Sequence, residues 1–290
     1  MKYEGMIIRP PSEAHSLLLQ VTVGCSHNRC IFCPSFKDKR FRIKEYPEIE
    51  EDILEASRYG VIERVFLCDG DALIIPQRKL VPVLESIAGN IRGVKRIATY
   101  GNAKSVLRKT PEELRELRAL GLSLVYLGLE SGNQELLRWM NKGVGPDDMI
   151  EAARRVREAG MDLSVTVLLG IGGREKSAVH GSDTAKVLSE MDPRYVGALT
   201  VMIVPGTPLH DLYREGRFQL PDTFGFLREL GAMIGQSRFT RCYFTANHAS
   251  NYLPLRVRLP EQKEEAVRLI RQVVEERNQS VLRPEFLRAL

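Results

Sequence analysis

No apolar run in the 290-residue chain approaches the roughly 20 residues of a membrane-spanning helix, so no membrane partner is expected. The N-terminus, starting Met1-Lys2-Tyr3-Glu4, lacks the long apolar core of a signal peptide, which reads as a cytoplasmic protein with reduced thiols. Low-complexity sequence is missing as well. The 23 Gly and 15 Pro are scattered, and a hydrophobic share of 43% excludes collagen-like and disordered chains. Charge of one sign is not in excess either: 42 Lys and Arg against 37 Asp and Glu leave +5. Most basic residues have acidic neighbours on predicted helices, as Glu264-Glu265 before Arg268 and Arg271, so a nucleic-acid partner is not indicated. Only the stretch from Lys37 to Lys44 is locally basic, and it reads either as a solvated loop or as an anion-facing segment. No Ser-rich or Gly-rich linker divides the chain, which favours one domain over residues 1–210 with a C-terminal extension over 211–290 packed on it.

What the sequence does contain is a repeat. Polar helical stretches end in Gly and a short apolar strand follows at once, as at Tyr59-Gly60-Val61, Leu120-Gly121-Leu122 and Ala159-Gly160-Met161. Gly at a helix C-terminus turns the chain back toward a sheet, so this punctuation marks βα crossover units. Six strands are expected: Leu17 to Val23, Arg64 to Cys68, Lys95 to Tyr100, Leu122 to Glu130, Leu163 to Leu169 and Tyr195 to Val204. Several are nearly continuous in apolar or β-branched residues, the pattern of parallel strands buried on both faces. Between them, helices are expected over Pro47 to Arg58, Lys79 to Ile87, Pro111 to Leu120, Pro146 to Glu158 and Glu175 to Met191, the second starting no earlier than about Lys79 because of Pro82. Farther on, Arg238 to Ala246 alternates like an added strand. A last helix, Glu261 to Arg277, puts Ala266, Leu269, Ile270, Val273 and Val274 on one face. The fold class is α/β, a partial (β/α)6 TIM-like barrel of parallel strands with a C-terminal extension. A doubly wound open sheet is the alternative, because the repeating unit is the same.

Three of the five cysteines lie within nine residues, Cys25-Ser26-His27-Asn28-Arg29-Cys30-Ile31-Phe32-Cys33, directly after the first expected strand. In a reduced compartment, thiols this close read as metal or cluster ligands more readily than as a disulfide framework. Three thiolates hold three irons of a [4Fe-4S] cluster and leave the fourth open, at the strand end where barrel active sites are built. A Cys3His zinc site with His27 is the competing reading, although His27 sits between two of the cysteines, where the loop hardly brings it around the same ion. Cys68 and Cys242 read as buried strand residues, too few and too separated for a second cluster.

The run from Cys25 to Cys33, with Phe32 just before the last cysteine, resembles the cluster loop of radical S-adenosylmethionine (SAM) enzymes, and it is similar to the branch holding coproporphyrinogen dehydrogenase-like and methylthiotransferase-like proteins. The resemblance covers roughly residues 15 to 210. Here four residues separate the first two cysteines where the family usually has three. The resemblance implies that Cys25, Cys30 and Cys33 hold the cluster, that the open iron is chelated by the methionine part of SAM, and that Phe32 belongs to the cofactor site. It further implies cofactor contacts at successive strand ends. Gly70 and Asp71 match the family's Gly-Gly-Glu in type, while Asp69 does not match its first Gly. Asn102 follows the third strand. Glu130 and Ser131 follow the fourth, and Glu130 is the best match to the acid that meets the ribose or methionine of SAM. Lys142 stands where the family usually has an Arg pairing with the methionine carboxylate, and Gly170, Ile171 and Gly172 form a turn whose backbone approaches adenine. Alone, Asp71 and Glu130 also read as capping or solvated acids, and the glycines as a plain turn or a phosphate cradle. Their common address at C-terminal strand ends joins them.

The function implied is reductive cleavage of SAM to a 5′-deoxyadenosyl radical that abstracts hydrogen from a substrate, a radical SAM oxidoreductase fed by an electron donor such as flavodoxin or ferredoxin. The alternative is a cluster- and SAM-binding protein that handles a cofactor, as in haem trafficking, without substrate turnover. Past the barrel, His248, Asn251 and Tyr252 lie in a polar, aromatic loop that reads either as a substrate-side cover or as a surface turn.

Overall fold

The computed structural model describes residues 1–289. The strands are β1 (Leu17–Gln20), β2 (Thr22–Val23), β3 (Arg42–Ile43), β4 (Arg64–Cys68), β5 (Arg96–Gly101), β6 (Leu122–Glu130), β7 (Asp162–Leu169), β8 (Tyr195–Thr200), β9 (Cys242–Thr245) and β10 (Arg256–Leu259). The helices are α1 (Tyr46–Ala56), α2 (Gln77–Asn90), α3 (Ala103–Leu107), α4 (Pro111–Ala119), α5 (Gln134–Trp139), α6 (Pro146–Glu158), α7 (Ser177–Met191), α8 (Pro208–Arg214), α9 (Thr223–Gln236) and α10 (Lys263–Glu275). They fall into two compact units. One holds Met1–Asn28, Ser35–Leu127 and Glu151–Leu163, the other Arg29–Pro34, Gly128–Ile150 and Ser164 onward.

In the first unit β1, β4, β5 and β6 pair in that order, all parallel. The aliphatic content of β4 explains its place: Val65, Phe66, Leu67 and Cys68 are fully buried, as a central parallel strand with both faces covered requires. Phe66, Tyr100 and Tyr126 meet edge to face with centroids 5.1 to 5.9 Å apart. The returns between helices and strands follow the glycine punctuation. At the end of α6, Gly160 takes φ +80°, its N–H donates to Arg157 C=O at 2.9 Å and that of Met161 to Val156 C=O at 3.2 Å, the paired bonds of a left-handed cap. Thr110 and Glu113 close α4 with a reciprocal capping box, with Pro111 in its first turn.

In the second unit β7, β8 and β9 are parallel, and β10 closes the edge antiparallel to β9. Glycines let the helices approach: a methyl on Gly181 of α7 would lie 3.2 Å from Ala232 Cβ on α9, and one on Gly235 of α9 would lie 3.3 Å from Val267 on α10. Neighbouring strands within each unit follow one another in chain order, without the reversal that defines a doubly wound sheet. The fold is the partial TIM-like barrel of parallel strands.

Several boundaries differ from the sequence reading. Leu17 to Val23 is two strands: at Val21 the chain changes partner, its N–H going to Cys68 C=O and its C=O accepting from Lys44, so β2 pairs with β3 instead of β4. The second helix starts at Gln77 despite Pro82, which falls inside it and removes one amide donor from the second turn. The strand from Tyr195 ends at Thr200, and β9 adds a seventh parallel strand where an appended one of open direction was expected. On α10, Ala266, Ile270 and Val273 are buried but Leu269 is 43% exposed, because Val267 meets Gly235 on the opposite edge of that face.

Candidate functional site

The cysteine loop leaves β2; Cys25 falls in the first unit, Cys30 and Cys33 in the second. All three thiols are half-buried, and no disulfide joins them, whereas Cys68 and Cys242 are sealed in the core. Burial raises both core thiols, Cys242 to about 12, so they stay protonated and poor as ligands. Among the described residues, no three His, Cys, Asp or Glu side chains are drawn onto one metal position. The donor chemistry nonetheless fits an iron–sulfur cluster, since three accessible thiols stand on an irregular loop within nine residues.

In the first unit the base of this loop is organised by Asp69, the residue that matches no family glycine. Its carboxylate accepts from the Gly24 N–H at 2.9 Å, from Gln20 Nε2 at 3.0 Å and from Lys39 Nζ at 3.1 Å. Gly70 lies so close to the loop that a methyl there would stand 3.0 Å from Cys25 Cβ and 3.2 Å from the Phe36 ring. Asp71 is fully buried and accepts from Ser26 Oγ and Ser105 Oγ, both at 2.6 Å, and from the Asn102 N–H at 3.3 Å. Burial raises its pKa against the pull of those hydrogen bonds. Asp71 therefore ties the cysteine loop to the end of β5, and Asn102 caps α3 by accepting from the Lys104 N–H. Three basic residues of the locally basic stretch are paired with acids: Lys39 with Asp69, Arg42 with Glu48 at 2.9 Å, and Lys44 with Asp52 at 3.0 Å. Lys44 is buried, which leaves neither the solvated-loop nor the anion-facing reading intact for the whole stretch.

The second unit fixes the other half of the loop. Ile31 N–H donates to Met140 C=O behind α5, and Leu209 N–H at the start of α8 donates to Ile31 C=O, so Phe32, half-buried, and its flanking cysteines sit on two helix ends. At the end of β6, Glu130 adopts φ +62°, a left-handed conformation that is uncommon for a residue with a side chain. Its Oε1 accepts from Lys142 Nζ at 2.9 Å, with the two side chains only 12% and 13% exposed. Asn141, at φ +61°, ends α5: Lys142 N–H reaches Leu137 C=O and Asn141 N–H reaches Arg138 C=O, a cap that aims Lys142 back at Glu130. Gly128 supplies the space, because a methyl there would overlap the Glu130 carboxylate and lie 3.0 Å from the Lys142 amine. Burial works to lower the Lys142 pKa, and the Glu130 carboxylate, with lesser contributions from Cys30 and Cys33, outweighs it, so the amine is held charged.

Ser131 is fully buried. Its Oγ bonds His180 Nδ1 at 2.8 Å and accepts from the Asn133 N–H, while His180 Nε2 lies 3.2 Å from Leu168 C=O. A carbonyl only accepts, so Nε2 carries the proton and Nδ1 accepts from Ser131. Burial pulls the His180 pKa down to about 4. In the turn after β7, Gly170 has φ +81° and no room for a methyl against Phe226, Ile171 is fully buried, and Gly172 alone of Gly170–Gly173 is partly open. The Gly170 N–H donates to Oε2 of Glu229 on α9 at 2.6 Å, and Ser177 Oγ donates to Oε1 at 2.6 Å. Burial lifts the Glu229 carboxyl to about 7. Sequence reasoning missed Glu229, because one acid in a helix with a buried apolar face carries no motif.

The loop of His248, Asn251 and Tyr252 lies against the end of β8, but its polar groups are largely committed. Asn251 is buried, accepts from Thr200 Oγ1 at 2.8 Å and donates to Ala198 C=O at 2.7 Å. His248 Nδ1 bonds Ser250 Oγ, and Tyr252 donates to Glu285 at 2.6 Å beneath the Arg288 guanidinium. Arg283 Nη1 donates to the carbonyls of His248, Ala249 and Asn251.

Comparison with known proteins supplies the family. The chain is 23% identical over 215 residues to an uncharacterized protein of Methanocaldococcus jannaschii, covering 70% of this chain and 66% of that protein. It is 22% identical over 221 residues to the biotin synthase of Buchnera aphidicola, covering 75% and 60%. It thus spans less than two thirds of the length of either relative. Among solved structures, the coproporphyrinogen III oxidase of Escherichia coli, titled a radical SAM enzyme, superposes with a TM-score of 0.56 at 15% identity, over 76% of this chain and 52% of that one. No helix among the described residues is long and apolar enough to cross a membrane. The model of the Radical SAM superfamily matches residues 19–180, more than half of the length, and the chain belongs to that superfamily.

Proposed function

We propose that the chain is a radical SAM enzyme that binds one [4Fe-4S] cluster through Cys25, Cys30 and Cys33 and holds SAM against the strand ends at Gly70, Asn102, Glu130 and Gly170–Gly172. Members of the superfamily bind a [4Fe-4S] cluster and SAM. Held by Cys25, Cys30 and Cys33 and reduced, the cluster would supply the electron for reductive cleavage of SAM to a 5′-deoxyadenosyl radical, the species that would abstract hydrogen from substrate. The observation that carries the reading is the Glu130–Lys142 pair: a buried, oppositely charged couple in a space left by Gly128, close enough to Cys30 and Cys33 for their thiolates to act on the amine. A zwitterionic ligand is matched by such a couple, the carboxylate facing its cationic groups and the ammonium facing its carboxylate. Asp71, with its oxygens occupied, supports the site through Ser26 and Asn102. Asn251 is a structural tie, which leaves His248 and Tyr252 as the loop's candidates on the substrate side. Electrons would come from a flavodoxin or ferredoxin.

Anaerobic reconstitution tests this. The protein should bind four irons, lose them on Cys25→Ala, and with SAM and reductant form 5′-deoxyadenosine above background. Iron binding without any deoxyadenosine would favour the cofactor-handling alternative. Loss of iron from a Cys68→Ala/Cys242→Ala variant, with retention by Cys25→Ala, would overturn the ligand assignment.

A further inference from the structure

Two strand ends of the second unit are joined by buried side chains to which the reading above gives no role. His180 on α7 binds the end of β7 through Leu168 C=O and the end of β6 through Ser131, the residue after Glu130. Glu229 on α9 lies 3.8 Å from His180 Nε2 and holds the Gly170 N–H and Ser177 Oγ, one on each oxygen. All of these side chains except Ser177 are nearly or fully buried. Glu229 follows the span matched by the family model, which ends at 180.

Packing does not account for a carboxyl at position 229. Among the described residues no Lys or Arg pairs with it, and a Leu would fill the space between α7 and α9 without the cost of removing a carboxyl from water. What the acid does that a Leu cannot is accept the Gly170 N–H. Gly170 is in a left-handed conformation, pressed on Phe226, and its amide points back into the protein. With that amide tied down, and the Gly173 N–H closed onto Gly170 C=O at 3.0 Å, Gly172 is the residue of the turn left partly open.

We propose that Glu229, with His180, is a positioning residue for SAM: it fixes the Gly170–Gly173 turn relative to Glu130, so that both strand ends meet the cofactor in one register. This rests on the assignment of Glu130 and the turn to SAM. Glu229 touches neither SAM nor the cluster. It acts through backbone, and its effect is separable from its mere presence, because Gln at 229 keeps an acceptor for Gly170 and Leu does not.

The experiment compares Glu229→Leu, Glu229→Gln and Glu130→Ala in the full chain. In cluster-free protein, hydrogen exchange at the Gly170–Gly173 amides should speed up at least ten-fold in Glu229→Leu and stay within about three-fold of wild type in Glu229→Gln. In reconstituted protein, equilibrium dialysis with SAM should show ten-fold or greater weakening for Glu229→Leu, rescue by Glu229→Gln, and unchanged iron. If Glu130→Ala weakens SAM while Glu229→Leu binds it as wild type does, the positioning role is wrong and the site stands. If neither variant changes SAM affinity, the site assignment fails and the inference with it. Should Glu229→Leu not fold, Glu229→Met replaces it, since its unbranched side chain fills the same space and offers the Gly170 N–H no oxygen acceptor. Unchanged exchange and affinity in that variant would also overturn the role.

Discussion

Gly128 decides more at the site than its size suggests. It lies within β6, flanked by Leu127 and Leu129, with no positive φ, so Gly128→Ala meets no backbone penalty. Its methyl would instead collide with the Glu130 carboxylate and crowd the Lys142 amine. The expected outcome is a folded protein with full iron content and SAM affinity lowered ten-fold or more, read by anaerobic titration calorimetry. Wild-type affinity would mean that the ion pair is not the cofactor contact. Glu130→Ala should cost SAM binding about 1.5 to 3 kcal/mol, the size of a charge-assisted hydrogen bond, with iron unchanged. The sequence showed Glu130 as a conspicuous acid at a strand end, yet not its partner. Lys142 is twelve residues away, and only the left-handed turns at Glu130 and Asn141 bring the two side chains together.

At the scale of elements, α9 matters beyond its packing on α7. In the folded protein the Glu229 carboxyl titrates near 7 instead of its ordinary 4.5, and His180 near 4 instead of 6.5. The raised acid contributes stability that is present below pH 4.5 and lost as pH rises through 7. The lowered imidazole contributes stability that is present above pH 6.5 and lost as pH falls through 4. Between about 4.5 and 6.5 the folded chain holds one proton on Glu229 and the unfolded chain one on His180, so the two slopes cancel. Glu229→Gln removes one side of that balance. Denaturant unfolding should then show the variant losing stability relative to wild type as pH falls from 6.5 toward 4, by up to about 3 kcal/mol. Parallel profiles would show that the two groups are not perturbed as described. The C-terminal segment carries a separate expectation: Arg283→Ala frees the carbonyls of His248, Ala249 and Asn251, and exchange of the loop amides should rise while SAM affinity stays unchanged.

Across the whole molecule the five cysteines divide by burial. Cys68→Ala/Cys242→Ala should lower stability by about 1 kcal/mol per site, as deletion of one buried group does, with iron unchanged. Iron loss in that variant, measured by colorimetric assay, would reverse the division. Much of this organisation was legible in one dimension, because it rests on local rules. Glycine punctuation and apolar runs foretold β4 and β6 to the residue and α6 likewise, and the C-x4-C-x2-C spacing pointed to a cluster because it sets three thiols on one short loop. Other features depend on partners distant in the chain. The switch at Val21 arises because both β3 and β4 compete for one stretch, and the helix through Pro82 stands because one missing amide is a small loss within 14 residues. Asp71 and Ser131 read as cofactor contacts from the sequence, and their burial and hydrogen bonds were not legible there, since their hydroxyl and imidazole partners lie 34 to 49 residues away. Glu229 had no signal at all. A carboxyl 59 residues from the glycine it holds acquires its meaning only when α9 packs on the end of β7 and takes that amide away from water.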